Sequence, residues 1–206
     1  MADAWHIQQI VSRARALGAD QAAPLPARAV VVDERVRLKC RVPLCAHYGV
    51  NLMCPPHTPS PAETRAALAR YTDTLVVQRE IPLSQAAVDQ AVADIGCVEK
   101  GAASLPVAYR DRLHESQNEF AAIMSSLEAE AYSLGYRFAA AYAGGDCVLC
   151  DGCVGVNGEP CRHPFEARPS MEAVGIDVLA TSEAAGLALE MPAAEHPRWT
   201  GLLLID

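Results

Sequence analysis

The sequence predicts a single α/β domain over residues 1–206, with α+β as an open alternative, in which helices cover a small mixed sheet. Three observations support this prediction. Apolar stripes at helical spacing alternate with short β-branched runs, and hydrophobic residues make up 51% of the chain, enough for one core. Cysteines also gather in two loops, at about 40–57 and 144–164, which we expect to leave strand ends and to bind metal.

The first half of the chain is expected to alternate helix and strand. An apolar stripe predicts the first helix, which Gly18 is placed to end; the stripe consists of Ile7, Ile10, Val11, Ala14 and Leu17. A β-branched run at 30–32 predicts a strand before the first cysteine loop. The segment SPAE at 60–63 offers a serine N-cap, a proline at N1 and a glutamate at N3, so a helix should run to about residue 70. The run TLVVQ at 74–78 predicts a buried strand.

The strongest helical pattern lies at 110–134 and ends before Gly135. Its apolar stripe consists of Phe120, Ile123, Met124, Leu127, Ala131 and Leu134. A stripe of this kind usually faces a core. The other expected elements are a helix at 84–93, a strand at 137–142, a helix from 181 or 182 to 190, and a strand at 201–205.

Charge and hydropathy exclude several classes of partner. Lysine and arginine number 17 against 25 acidic residues, a net charge of −8, and no basic run appears. This composition argues against nucleic acid and anionic membranes and is compatible with a basic partner protein. No 18-residue apolar stretch and no secretory signal pattern are present, so we expect no membrane span and a cytoplasmic location. Clustered cysteines in that reducing compartment indicate metal ligands and not disulfides.

The second cysteine loop has the spacing of an iron–sulfur site. Its ligands would be Cys147, Cys150, Cys153 and Cys161, in the pattern C-x2-C-x2-C-x7-C. Three thiolates two residues apart can surround one face of a 4Fe–4S cluster. The last gap contains two glycines, so the fourth cysteine can fold back onto the same cluster. Zinc is the alternative, although zinc sites rarely place three cysteines so closely.

The first cysteine loop offers only three thiols, Cys40, Cys45 and Cys54. They predict a second 4Fe–4S cluster whose fourth iron is open to a small-molecule ligand or is bound by a histidine, by Cys97 or by a partner. The zinc alternative is a Cys3His site completed by His57 or His47. Beside the ligands, Arg41, Arg162 and His163 could donate hydrogen bonds to cluster sulfides; solvated loop charges are the equally weighted alternative.

Two segments give the chain a family resemblance. The first is HYGVNLMCPPHTP around Cys54, after Cys40 and Cys45; the second is CVLCDGC followed by PCRHPFEARPSMEAVGIDV, which ends at Val178. Both resemble a bacterial and archaeal family of unknown function (domain of unknown function 2284), whose members are described only as predicted metal-binding proteins. The resemblance implies metal binding through the seven clustered cysteines and implies no reaction.

From these observations we expect an iron–sulfur protein with one or two 4Fe–4S clusters that acts with a redox partner protein in electron transfer. Ligand number, compartment and the lack of a substrate motif favour this class. Two alternatives remain open at this point. One is an enzyme whose three-cysteine cluster binds substrate at its free iron. The other is an interaction module with structural zinc sites. The fourth ligand of the first cysteine loop distinguishes these classes.

Overall fold

The computed structural model describes residues 2–81, 107–189 and 197–206. The helix expected at 84–93 and Cys97 lie outside the described residues. The elements are α1 (Ala4–Ala16), β1 (Gln21–Pro26), α2 (Glu34–Leu38), α3 (Pro61–Leu68), β2 (Asp73–Glu80), α4 (Val107–Ser133), β3 (Ala140–Tyr142), α5 (Val178–Ala184) and β4 (Arg198–Ile205). Short 3-10 turns at Val154–Asn157 and Glu172–Val174 shape the segments around the second cysteine loop.

Local capping signals set the helix ends as predicted. The side chain of Asp3 accepts a hydrogen bond from the Trp5 backbone at the start of α1. At the start of α3, Ser60 and Glu63 form the reciprocal capping box, and the helix ends at Leu68, two residues earlier than expected. Gly135 follows α4 with φ +99°, a left-handed conformation that glycine adopts without steric cost.

The four strands of the described residues form one sheet in the order β1-β2-β4-β3, and every pair of them is antiparallel. The fold is therefore the expected mixture of helices and sheet, although the described strands contain no parallel pair. β4 lies inside the sheet between β2 and β3, and it is the last of the strands in the sequence. None of the described helices is long and apolar enough to cross a bilayer.

β3 begins at Ala140 and β4 at Arg198, three residues from the predicted starts, and two other elements depart further from prediction. The first strand is β1 and not residues 30–32, where Val32 forms only an isolated bridge with Ile176. Pro24 and Pro26 hid this strand from sequence reasoning, but an edge strand tolerates proline because one of its sides lacks a partner. α5 begins at Val178, since the Asp177 side chain accepts from the Ala180 backbone and caps it there.

The sheet is covered on both faces, as the side-chain alternation of its strands requires. On one face Leu203 and Ile205 of β4 pack with α1 and α4. On the other face Leu202 and Leu204 pack with Leu68 of α3 and with a segment that contains Met171, Val174 and Ile176. Among the described residues, neither apolar cluster includes a cysteine. The scaffold and the candidate metal loops are therefore separate parts of the molecule.

Candidate metal centre

The second cysteine loop leaves the end of β3, as expected, and its four cysteines line one cavity. Cys147, Cys150, Cys153 and Cys161 surround a space of about 350 Å³. Gly145 starts the loop with φ +76°, and a Cβ there would lie 2.7 Å from the Gln117 side chain. Gln117 donates from that position to the Asp146 carbonyl, so α4 fixes the point at which the loop begins.

The four thiols lie close enough to interact electrostatically. Burial raises the pKa of Cys147, and a backbone hydrogen bond from Leu149 opposes that change. The charges of the other three cysteines of the loop raise the Cys147 pKa further. The backbone N–H of His163 donates to Cys161 Sγ at 3.4 Å. Negative charges on these cysteines would repel each other, so a bound cation or cluster would stabilise the deprotonated form.

The first cysteine loop follows α2, not a strand as expected. It is tightly turned: the Cys45 backbone donates to the Cys40 carbonyl at 3.1 Å. The His47 backbone donates to Cys45 Sγ at 3.5 Å. The pKa of Cys54 is raised to about 11, chiefly by burial. A hydrogen bond from Asn51 opposes this rise, and the charges of Asp146, Cys45 and Cys40 add to it. The three thiols therefore form a second electrostatically coupled group.

The two loops contact each other although they lie about a hundred residues apart in the chain. His47 Nδ1 of the first loop lies 3.0 Å from Asp146 Oδ2 of the second. Leu52 packs closely against Gly155: a Cβ added to Gly155 would lie 2.2 Å from the Leu52 side chain. His47 also lines the cavity of the second loop. The structure thus joins the two sequence motifs into one surface.

Two sets of polar contacts hold these loops on the scaffold. Arg168 donates through Nε and Nη2 to the Glu128 carboxylate of α4, at 3.0 and 2.6 Å. The same carboxylate accepts a hydrogen bond from the Ala141 backbone of β3. On the other side, Arg37 Nη1 donates to the carbonyls of Pro59 and Ala173, at 2.6 and 2.9 Å. Both loops are therefore anchored at their bases.

Across the described ranges, no three cysteine, histidine or acidic side chains converge on one point as a single-ion site requires. Around zinc, four sulfurs at 2.3 Å from the metal would lie about 3.8 Å apart. The four thiols of the second loop line a cavity of about 350 Å³ together with histidine and aspartate side chains. The four thiols of Cys147, Cys150, Cys153 and Cys161 would suit an iron–sulfur cluster or a zinc ion as ligands.

Sequence reasoning missed several residues of this centre. His114 of α4 lines the cavity together with Arg162 and His163. Asp146 directly precedes the first cysteine of its motif, and this adjacency was the available signal. His57 has an exposed side chain with no hydrogen bond to any described residue, so it is the less favoured of the two candidate histidines.

The comparisons with known proteins identify a family and no nearer relative. No curated protein and no solved structure matches the chain. Residues 23–205 match the model of the family described as "Predicted metal-binding protein (DUF2284)". That range includes both cysteine loops and every strand except the first two residues of β1. The chain therefore belongs to the DUF2284 family of predicted metal-binding proteins.

Proposed function

We propose that the chain is a cytoplasmic iron–sulfur protein that serves as a redox component. Cys147, Cys150, Cys153 and Cys161 hold one 4Fe–4S cluster; Cys40, Cys45 and Cys54 hold a second. The observation that carries the proposal is the cavity of about 350 Å³ bordered by all four cysteines of the second loop. A bound cluster would supply one-electron chemistry, and the protein would tune it through burial and N–H donors to sulfur.

The protein's own groups have definable roles in this proposal. The backbone N–H groups of His47 and His163 stabilise the thiolates of Cys45 and Cys161. Asn51 hydrogen-bonds to Cys54, the most buried of the seven clustered thiols. The contact between His47 and Asp146 holds the two sites next to each other, as transfer between two clusters requires.

His47 is the favoured fourth ligand of the first loop. Metal-bound histidines commonly use one ring nitrogen for the metal and place the other against a carboxylate. His47 has this arrangement, because its Nδ1 is within hydrogen-bonding distance of Asp146 and its Nε2 is left for the metal. His57 has no comparable carboxylate among its described neighbours.

The first experiment is anaerobic purification followed by quantification of iron, sulfide and zinc, with EPR of the reduced protein. Cys150→Ser should remove one cluster's worth of iron and its EPR signal. Asp151→Asn changes the neighbouring exposed residue without removing a thiol, so it should retain both. Stoichiometric zinc without acid-labile sulfide in the wild type would overturn the proposal and leave a zinc module.

The second experiment tests the first loop by ferricyanide titration followed by EPR. A cluster whose fourth iron has no cysteine ligand should lose that iron and give a 3Fe signal. If His47 is the ligand, His47→Ala should lower the oxidant needed, whereas His57→Ala and Cys97→Ala should leave it unchanged. A change only in His57→Ala or Cys97→Ala would identify that residue as the ligand instead.

An enzyme is the second candidate, and one observation favours it. His114, His163 and Arg162 line the cavity beside the four cysteines, where they could bind the polar groups of a small molecule. In this case the cavity would admit a small molecule close to the metal. A ferricyanide titration in which wild type loses iron as readily as His47→Ala, His57→Ala and Cys97→Ala would favour this candidate, because none of these three side chains would then hold the fourth iron.

A further inference from the structure

We propose that residues 38–44, here called the docking loop, form the surface on which an acidic redox protein docks. This inference rests on the proposed redox function and adds the face and the charge of the partner. The loop contains Cys40 and directly precedes Cys45, so a protein bound there lies against the first metal site. One electron passes from the reduced partner to the oxidised cluster; the partner is oxidised, the cluster is reduced, and no bond forms or breaks.

The apolar part of the docking loop is exposed on a tight turn. Leu38, Val42 and Leu44 are 55%, 68% and 70% exposed. The Val42 backbone donates to the Leu38 carbonyl at 2.9 Å, and Arg41 forms a bridge with Leu44, so these residues lie on one turn. Exposed aliphatic groups grouped in this way are typical of an interaction surface, because burying them on binding is favourable.

The charge of the docking loop is opposite to that of the whole chain. Lys39 and Arg41 are exposed, and within the described part of the chain their side chains have no hydrogen bond and no ion pair. The nearby cations are already engaged: Arg35 pairs with Asp33, and Arg37 donates to backbone carbonyls. In a chain with a net charge of −8, two free cations beside a metal site favour an acidic partner at this position.

The docking loop is also held in place before any partner arrives. Arg37 fastens the end of α2 to the Pro59 and Ala173 carbonyls. Thr58 Oγ1 donates to the same Ala173 carbonyl at 2.6 Å. A surface that is ordered in the free protein loses less conformational entropy on binding.

The composition of the loop favours a protein over nucleic acid. Binding to nucleic acid draws on several phosphate contacts, and this loop offers two free cations separated by aliphatic side chains. An apolar centre beside charged groups instead matches a protein interface. Redox complexes are among the smallest interfaces, so seven residues can supply a substantial part of one.

The test uses the holoprotein with oxidised clusters and, as probe, a small acidic 2Fe–2S ferredoxin reduced anaerobically. Stopped-flow spectroscopy gives the second-order rate of electron transfer, which should fall as salt is added. The double variant Lys39→Glu/Arg41→Glu should lower this rate at low salt by about tenfold or more.

Leu44→Ser should weaken binding of the ferredoxin, as measured by calorimetry. The matched control Arg13→Glu/Arg15→Glu, on exposed cations of α1, should stay within about twofold of wild type.

Two outcomes would overturn the docking surface. These are equal losses in the two double variants and a rate that does not depend on salt. Loss of oligonucleotide binding or of self-association in the Lys39→Glu/Arg41→Glu variant would assign the loop to a different occupant. Wild type without iron would refute the proposed function itself, whereas a cluster-bearing protein with an insensitive rate would refute only the docking surface.

Discussion

Gly152 and Gly155 flank Cys153 in the second cysteine loop, and their surroundings differ sharply. A Cβ on Gly152 would meet no atom within 4 Å, whereas a Cβ on Gly155 would lie 2.2 Å from Leu52 of the first loop. The absence of a side chain at 155 therefore allows the two loops to approach each other. This pair of glycines offers a test of whether that approach matters.

Gly155→Ala should push Leu52 away and lower both stability and metal retention, because overpacking at a close contact typically costs about 1–3 kcal/mol. Gly152→Ala should leave both nearly unchanged, since its Cβ would enter open space. Urea unfolding and iron release to a chelator are the measurements. Equal effects of the two substitutions would show that the contact between the loops carries no energy.

Asp33 gives a residue-scale prediction of pH dependence. Hydrogen bonds from the Arg35 side chain and backbone lower the pKa of the Asp33 carboxyl to about 2. The unfolded chain should have the ordinary value near 4, so the stabilising contribution is complete above about pH 4 and is lost as pH falls through 2. The carboxyl carbon of Asp33 should titrate in NMR with a midpoint near 2.

Arg35→Gln provides the control for that titration. It removes the charged donor and should move the Asp33 midpoint upward towards the ordinary value. A wild-type midpoint that already lies near 4 would show that the ion pair in front of α2 does not persist in solution.

At the scale of elements, the ion pair between Arg168 and Glu128 connects α4, β3 and the end of the second cysteine loop. Its side chains are only 13% and 22% exposed, so water screens the pair weakly. Arg168→Met should cost about 2 kcal/mol, because it leaves the carboxylate half-buried and short of donors. Arg65→Met is the matched control: its pair with Glu34 is 43% and 67% exposed and should cost less than about 1 kcal/mol.

Thermal and urea unfolding would measure both Arg→Met substitutions. The Arg168 variant should also release iron faster, because the segment after Cys161 loses its attachment to α4. If the two variants lose the same stability, burial does not strengthen the Arg168 contact and the proposed anchor fails.

The elements that sequence reasoning found are those with local signals. α1 and α4 follow from apolar residues at helical spacing, and α3 follows from its capping box at Ser60. β1 was missed because Pro24 and Pro26 argue against a strand, and only its place at the sheet edge permits them. Strand order was not readable, because pairing depends on contacts between distant residues.

At the candidate site, too, local patterns were readable from the sequence and contacts between distant residues were not. Cysteine spacing is a local pattern, so both ligand groups could be proposed from the sequence alone. The contacts of His47 with Asp146 and of Leu52 with Gly155 join residues about a hundred positions apart, and no local pattern indicates them. The grouping of the second loop's four cysteines around one cavity agrees with their predicted role, which stays a prediction until metal is measured.

At the scale of the whole molecule, the core should survive without metal. Both apolar clusters are built from aliphatic and aromatic side chains of helices and strands, and neither includes a described cysteine. Chelation should therefore preserve most of the far-UV circular dichroism, while NMR signals from 40–57 and 144–164 broaden or shift. A random-coil spectrum of the metal-free protein would show that metal supports the fold itself.

The position of β4 has a consequence for the order of events during synthesis. β4 begins at Arg198, so it is synthesised after both cysteine loops, and β3 pairs only with it among the described strands. Until β4 arrives, the second loop extends from a segment with no sheet to hold it. Cluster retention should therefore depend on β4: a nascent chain stalled before residue 198 should fail to retain iron, whereas a longer nascent chain with β4 outside the ribosome should retain it.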